Sequence, residues 1–304
     1  MNKHSLKDWA TAVRPWSFPA SAMPVIVTAA YIFWKTGVPE GINYGDPDWL
    51  LWLWALINII IFHAAGNTWS DYFDFKKNVD TAETSGAKTL TEGMFTPGEI
   101  KSLSVSLLVI GLAGGLGLLL MTGLPLLWIG LGGLACTVLY PFMKYNALGD
   151  AVIIAAYAVL PTLGTAYVIT GQIIPEVLWI AVPVGLITDA ILHSNNTRDI
   201  CTDRNAKIKT LAMGMGVKAA KIFYYLEVLI PFLWIAGCVV SGILPAWSLT
   251  VMPALFPAIV NVRAMSNARE NDMSAISSLD EMTAKLQLLF SLLFSISFVL
   301  AYYF

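Results

Sequence analysis

The chain has 304 residues, of which 57% are hydrophobic and only 12% charged, with a net charge of −2. A soluble domain carries about 25% charged residues, so this composition excludes a solvated surface of ordinary kind. The slightly acidic balance also argues against a nucleic-acid partner, which requires a basic face.

A transmembrane helix needs about 20 mostly apolar residues. Nine stretches qualify, roughly 17–35, 48–66, 102–121, 124–142, 150–171, 176–195, 219–240, 243–264 and 285–304. The fold expected is all-α, a bundle of nine transmembrane helices around a central cavity, with 1–304 forming one domain. Met1 to Trp16 is polar to mixed and carries no cleavable-signal pattern. Pro24, Pro161, Pro183, Pro231, Pro253 and Pro257 fall inside spans and should kink them.

Loop charges test this count. With the N-terminus inside, 17 of the 18 Lys and Arg fall on cytoplasmic segments, and only Lys35 falls outside. The positive-inside rule predicts that bias, and a miscounted helix would scramble it. The reading is therefore an inner-membrane protein with N-terminus and active site cytoplasmic and C-terminus outside. The long inner loops 67–101 and 196–218 are rich in Asp, Asn, Lys and Arg, and long loops in compact folds usually carry function. Cys136, Cys201 and Cys238 form neither a zinc pattern nor a disulfide framework and are expected free.

At the inner end of the second span, His63, Asn67, Asp71 and Asp74 recur at steps of four, four and three, one helical face if that helix continues. At the inner end of the sixth, Asp189, His193, Asn196, Asp199 and Asp203 repeat the pattern at steps of four, three, three and four. Carboxylates gathered in this way repel unless cations separate them. Magnesium, a hard ion held by one or two carboxylates plus substrate phosphates, suits two facing clusters that share a diphosphate. Asn67, Asp71, Asp74, Asp199 and Asp203 are the candidate ligands. Lys76, Lys144, Arg198 and Lys209 are candidates for the phosphate oxygens, although such basic residues also serve as topology signals. Asp189 lies inside the sixth helix on the second cluster's face, which favours a pocket role, whereas Glu227 lacks an evident partner. His63 and His193 are either acceptor-site bases or satisfied core histidines.

At these residues the chain resembles the UbiA-type superfamily of intramembrane aromatic prenyltransferases, over nearly its whole length. Its 1,4-dihydroxy-2-naphthoate polyprenyltransferase branch, of menaquinone synthesis, is the most similar. RPWSFPAS at 14–21, NTWSDYFDFKKNVDT at 67–81, YPFMK at 140–144, LGD at 148–150 and NNTRDICTDRNAKIKTLAMGMG at 195–216 carry the likeness. The resemblance implies nine helices, Mg2+, a polyprenyl diphosphate donor and an aromatic acceptor within the bilayer. It implies catalytic roles for Asp71, Asp199 and Tyr140 and a diphosphate role for Lys144. Arg14, His63, His193, Asn196 and Asp189 become candidates for the acceptor side. The third Asp of the 4-hydroxybenzoate branch is replaced by Asn78, with Asp80 two residues on, and SGAKTLTEG at 85–93 replaces that branch's basic elements. These departures favour naphthoate over 4-hydroxybenzoate; within the family, 4-hydroxybenzoate, homogentisate or glycerol phosphate acceptors are the alternative. A secondary transporter is the rival of another class; it would place its polar groups near the bilayer centre rather than at helix ends.

Overall fold

The computed structural model describes residues 4–38, 45–81 and 88–304. Lys3, the middle of the outer 36–47 segment and residues 85–87 of SGAKTLTEG lie outside the described residues. Within them the chain is helical, with no strand longer than an isolated bridge.

The helices are α1 (Leu6–Val13), α2 (Pro19–Thr36), α3 (Trp49–Lys76), α4 (Pro97–Thr122), α5 (Pro125–Lys144), α6 (Gly149–Ile154), α7 (Leu160–Thr170), α8 (Leu178–Arg198), α9 (Ile200–Asn205), α10 (Leu211–Val240), α11 (Leu255–Asn267) and α12 (Leu279–Tyr303). Eight helical stretches among the described residues are long and apolar enough to cross a membrane. A ninth is α1 and α2 taken as a pair bent by 51°. The nine spans read from the sequence are therefore present, with altered ends. In particular, α3 runs ten residues past its expected end and carries the first acidic cluster into the helix.

Local chemistry fixes these boundaries. Ser5 with Asp8, and Thr96 with Glu99, form capping boxes at the starts of α1 and α4, each satisfying backbone N–H groups that lack a helical partner. Asp48 accepts from the N–H groups of Leu50 and Leu51 at the start of α3. Pro161 removes a donor from the fifth span, and the chain answers with a π-helical turn at Ala155–Val159 that joins α6 to α7. Gly216, at φ +75°, bends α10 near its start, a conformation that side chains resist.

The main core lies among α2, α8, α10 and α12, where Tyr31, Ile187, Tyr224, Phe290, Phe294 and Phe298 are fully buried. Helices α4 and α5 instead present Val109, Leu120, Trp128 and Leu139 outward, as lipid-facing helices do. The three cysteines are free.

Candidate active site

The site forms where the same end of α3, α5, α8 and α12 meets the α1–α2 bend. The turn between α1 and α2 places Arg14 in the left-handed region (φ 56°). From there its guanidinium reaches the Asp71 carboxylate and the carbonyl oxygen of Asn67. The amide nitrogen of Asn67 donates to the Val13 carbonyl and to Ser17 Oγ, both at 3.0 Å, which ties α3 to the bend.

One turn further along α3, Asp74 accepts from Lys144 Nζ at 2.7 Å, Ser70 Oγ at 3.0 Å and the Tyr145 hydroxyl at 2.8 Å. On the opposite wall, Arg198 grips its neighbour Asp199 through Nε at 2.9 Å and a second nitrogen at 2.8 Å. Its remaining nitrogen meets Asp280 of α12 at 3.1 Å. Three cavity cations thus each neutralise a cluster aspartate: Arg14 with Asp71, Lys144 with Asp74 and Arg198 with Asp199.

These residues ring the mouth of a cavity of about 1320 Å³ that also takes in Tyr140, Asp80, Asn195, Asn196, Asp203, Asp280, Glu281 and Lys285. Burial, and the nearby Asp74 carboxylate, push Asp80 up to about 7. Burial and then Asp199 do the same to Asp203. The Tyr145 hydroxyl is held well above its ordinary range by burial and by its contact with Asp74.

Magnesium can be tested against this donor set. Asp71 Oδ2 is buried without a hydrogen-bond partner, as a ligand atom awaiting a cation would be. Among the described residues no three His, Cys, Asp or Glu side chains converge on one point. A preformed all-protein cage is therefore absent there. The arrangement fits an ion held by one or two carboxylates and completed by phosphate and water oxygens.

Below the mouth the wall changes character. Ser17, Ser21, His63 and Asn67 form a polar strip, with His63 Nδ1 at 2.8 Å from Ser21 Oγ and Nε2 at 3.3 Å from Ser17 Oγ. The Tyr157 ring meets His63 edge-on at 5.0 Å. Beyond this strip the lining becomes mostly leucine, isoleucine, valine and glycine.

Four expected site residues stand off this cavity. Asp189 and His193 point to the other side of α8. There His193 Nε2 lies 3.0 Å from the Ala220 carbonyl of α10 and Nδ1 lies 3.5 Å from Asp150. The expected single face of the second cluster is thus divided: α8 ends at Arg198, and Asp199 is the joint to α9, so Asn195, Asn196, Asp199 and Asp203 face the cavity without Asp189 or His193. Lys76 is exposed and lies over the Tyr72 ring at 5.0 Å. Lys209 is exposed too, and its backbone pairs with Tyr145 and Ala147. Sequence reasoning missed Ser70, Tyr145 and the α12 group Asp280, Glu281 and Lys285. Only the placement of charges at the inner end of the ninth span could have signalled that last group.

The family model described as the UbiA prenyltransferase family matches residues 42–289. The UbiA prenyltransferase domain-containing protein 1 of Xenopus tropicalis is 34% identical over 98% of this chain and 84% of its own length. The protein of the same name from Homo sapiens is 33% identical over 97% of this chain and 84% of its own length. Among solved structures, a UbiA homolog from Archaeoglobus fulgidus bound to GPP and Mg2+ superposes with a TM-score of 0.67 at 14% identity, covering 98% of this chain and 100% of that one. A digeranylgeranylglyceryl phosphate synthase gives 0.62 at 18% identity, covering 97% and 98%. With a model match over most of its length and relatives a third identical along nearly all of it, this chain belongs to the UbiA prenyltransferase family and is an integral membrane prenyltransferase.

Proposed function

We propose that the protein transfers a polyprenyl chain from polyprenyl diphosphate to 1,4-dihydroxy-2-naphthoate, with loss of carbon dioxide, to give the quinol form of demethylmenaquinone. The observation that carries the prenyl-transfer part of this reading is the shape of the cavity. Two aspartate pairs and three cations surround its mouth, and an apolar tunnel leads away from them. A diphosphate head on a hydrocarbon tail has the same division of chemistry.

Asp71, Asp74, Asp199 and Asp203, with Asn67, would hold magnesium, a reading supported by the Archaeoglobus homolog, which binds GPP and Mg2+. When bound, magnesium neutralises diphosphate oxygens and stabilises the charge on the leaving group. Lys144 and Arg198 add fixed positive charge at the oxygens of the departing diphosphate, where charge grows in the transition state. Tyr140 lies in the wall beside Lys144, whose Nζ is 5.8 Å from the ring centre, a place where an electron-rich face can meet an allylic carbon. The dry tunnel keeps water from that carbon.

The polar strip of Ser17, Ser21, His63 and Asn67, with Arg14 at its edge, offers the acceptor hydrogen bonds and a counter-charge for its carboxylate. Bond making and breaking then balance. The ring carbon bearing the carboxylate forms the new bond to the allylic carbon while the carbon–oxygen bond to diphosphate breaks. Carbon dioxide departs, and its bonding pair returns to the ring.

The loop charges support a cytoplasmic orientation for the charged mouth, with the active site on the inner face of the cytoplasmic membrane. Polar groups gathered at one end, rather than at the middle, support the enzyme over a transporter. The acceptor rests on the branch resemblance, and the test is direct. Membranes containing the protein, given Mg2+ and a long prenyl diphosphate, should release labelled carbon dioxide from carboxyl-labelled naphthoate. Prenylation of 4-hydroxybenzoate or a glycerol phosphate, with none of the naphthoate, would overturn the acceptor and leave the transfer intact.

A further inference from the structure

The glycines of α5 are of two kinds. A Cβ added at Gly132 would press on Leu160 at 3.2 Å, so that glycine lets α5 pack on α7. At Gly130 and Gly133 an added Cβ would meet no atom within 4 Å, and both residues belong to the cavity wall. These two do not serve close packing; they leave the tunnel wide.

Their spacing has a chemical scale. Cavity-lining positions on α5 run from Lys144 to Leu126, about 27 Å of helix at roughly 1.5 Å per residue. Gly133 stands about 16 Å from Lys144 along that line and Gly130 about 21 Å. An extended isoprene unit adds four carbon–carbon bonds of roughly 1.5 Å, an advance of about 5 Å. The step from Gly133 to Gly130 is therefore close to one isoprene unit. Counted from Lys144, the wall beside Gly133 meets about the fourth unit, and Gly130 about the fifth. At the far end the buried Leu118 and Val168 close the lining, and the Tyr167 hydroxyl donates to the Thr122 carbonyl just beyond.

Resting on the prenyl-transfer reading above, we propose that Gly133 and Gly130 determine the length of prenyl chain this protein takes, by holding the tunnel open for the fourth and fifth isoprene units. The substrate class is then a prenyl diphosphate longer than farnesyl, lying along α5 with its end near Leu126.

The test replaces each glycine with Phe and uses the full-length protein in membranes with Mg2+, 1,4-dihydroxy-2-naphthoate and farnesyl, geranylgeranyl or pentaprenyl diphosphate. Gly133→Phe should lower transfer of geranylgeranyl and pentaprenyl groups by about ten-fold or more, while farnesyl transfer stays within about two-fold of wild type. Gly130→Phe should spare geranylgeranyl and penalise only pentaprenyl. Retained farnesyl transfer shows that each variant folds. The same ceiling is read without an acceptor, as the shift in thermal melting that each diphosphate produces. A tail leaving sideways between α4 and α5, where Leu112, Leu116 and Leu131 line the cavity yet are exposed, would bypass both glycines. Equal use of all three lengths by both Phe variants, or a ceiling that does not step by one unit between them, would overturn the proposal. If wild type transfers no prenyl group and no diphosphate shifts its melting, the underlying reading falls with it.

Discussion

Lys144 and Asp74, 70 positions apart in sequence, meet at 2.7 Å and lock the end of α5 to the end of α3. Both Asp74 oxygens are engaged, one by Lys144 and Ser70 and the other by Tyr145. Asp71, one turn back, keeps a buried oxygen without a partner. The two aspartates of the first cluster are therefore unequal: Asp71 can accept a cation as it stands, whereas Asp74 must first release Lys144.

Breaking the pair on one side should cost more than removing it. Lys144→Met leaves a buried carboxylate without its countercharge, a loss near the lower end of about 3–5 kcal/mol because Ser70 and Tyr145 still bond it. Adding Asp74→Asn should restore most of the melting temperature in detergent without restoring turnover. A double variant no more stable than Lys144→Met alone would show that the pair is not the lock described.

Removing a carboxylate from either cluster should abolish catalysis. Asp71→Ala and Asp199→Ala are expected to insert and fold, since each leaves its cation near the solvent-accessible mouth, yet to lose at least about a thousand-fold in turnover. Near-normal Mg2+-dependent activity in either variant would remove that cluster from the site.

Burial and neighbouring carboxylates raise Asp80 and Asp203 to about 7. An acid raised in the folded state makes the fold less stable as pH climbs from its ordinary value towards the raised one. A metal must displace those protons. Binding of Mn2+, followed by its spin resonance with inorganic diphosphate present, should tighten from about pH 6 to about pH 8 and release protons below about 7. Affinity that is flat across this window would show that Asp203 does not join the metal and that Asp80 does not feel it.

Much of the fold was legible because membrane helices declare themselves by length and apolarity. The spans did not depend on knowing which faces pack. The clusters were legible for a similar reason: Asn67, Asp71 and Asp74 follow helical spacing, and α3 continues far enough to honour it. What periodicity could not supply was which face of α8 looks into the cavity. Asp189 and Asn196 share a pattern, but the α8 backbone stops being helical at Asp199, and packing on α10 takes Asp189 and His193 the other way. Nor could it supply long-range partners such as Asp280, which joins Arg198 only through the placement of α12.

The sidedness of the bundle is also open to measurement. Lys35 ends α2 and Lys144 ends α5, and an odd number of crossings separates them. In a background with Cys136, Cys201 and Cys238 replaced, a cysteine at position 35 should react only from outside and one at 144 only from the cytoplasm. Labelling of both from one side would break the nine-span topology.

The two histidines give the sharpest contrast between a cavity wall and a core. His63 lines the cavity between Ser17 and Ser21, so a ring or hydroxyl of the acceptor can reach it. His193 is fully buried behind α8, its Nε2 bonded to the Ala220 carbonyl and its Nδ1 3.5 Å from Asp150. His63→Gln should therefore raise the acceptor KM by about ten-fold, the loss of one well-made polar contact of roughly 1.4 kcal/mol, with the KM for the diphosphate unchanged. His193→Gln should leave both KM values alone and lower the melting temperature, since it takes the ring nitrogen away from the buried Ala220 carbonyl. Reversal of the two patterns, with the acceptor KM following His193, would move the acceptor pocket to the other face of α8.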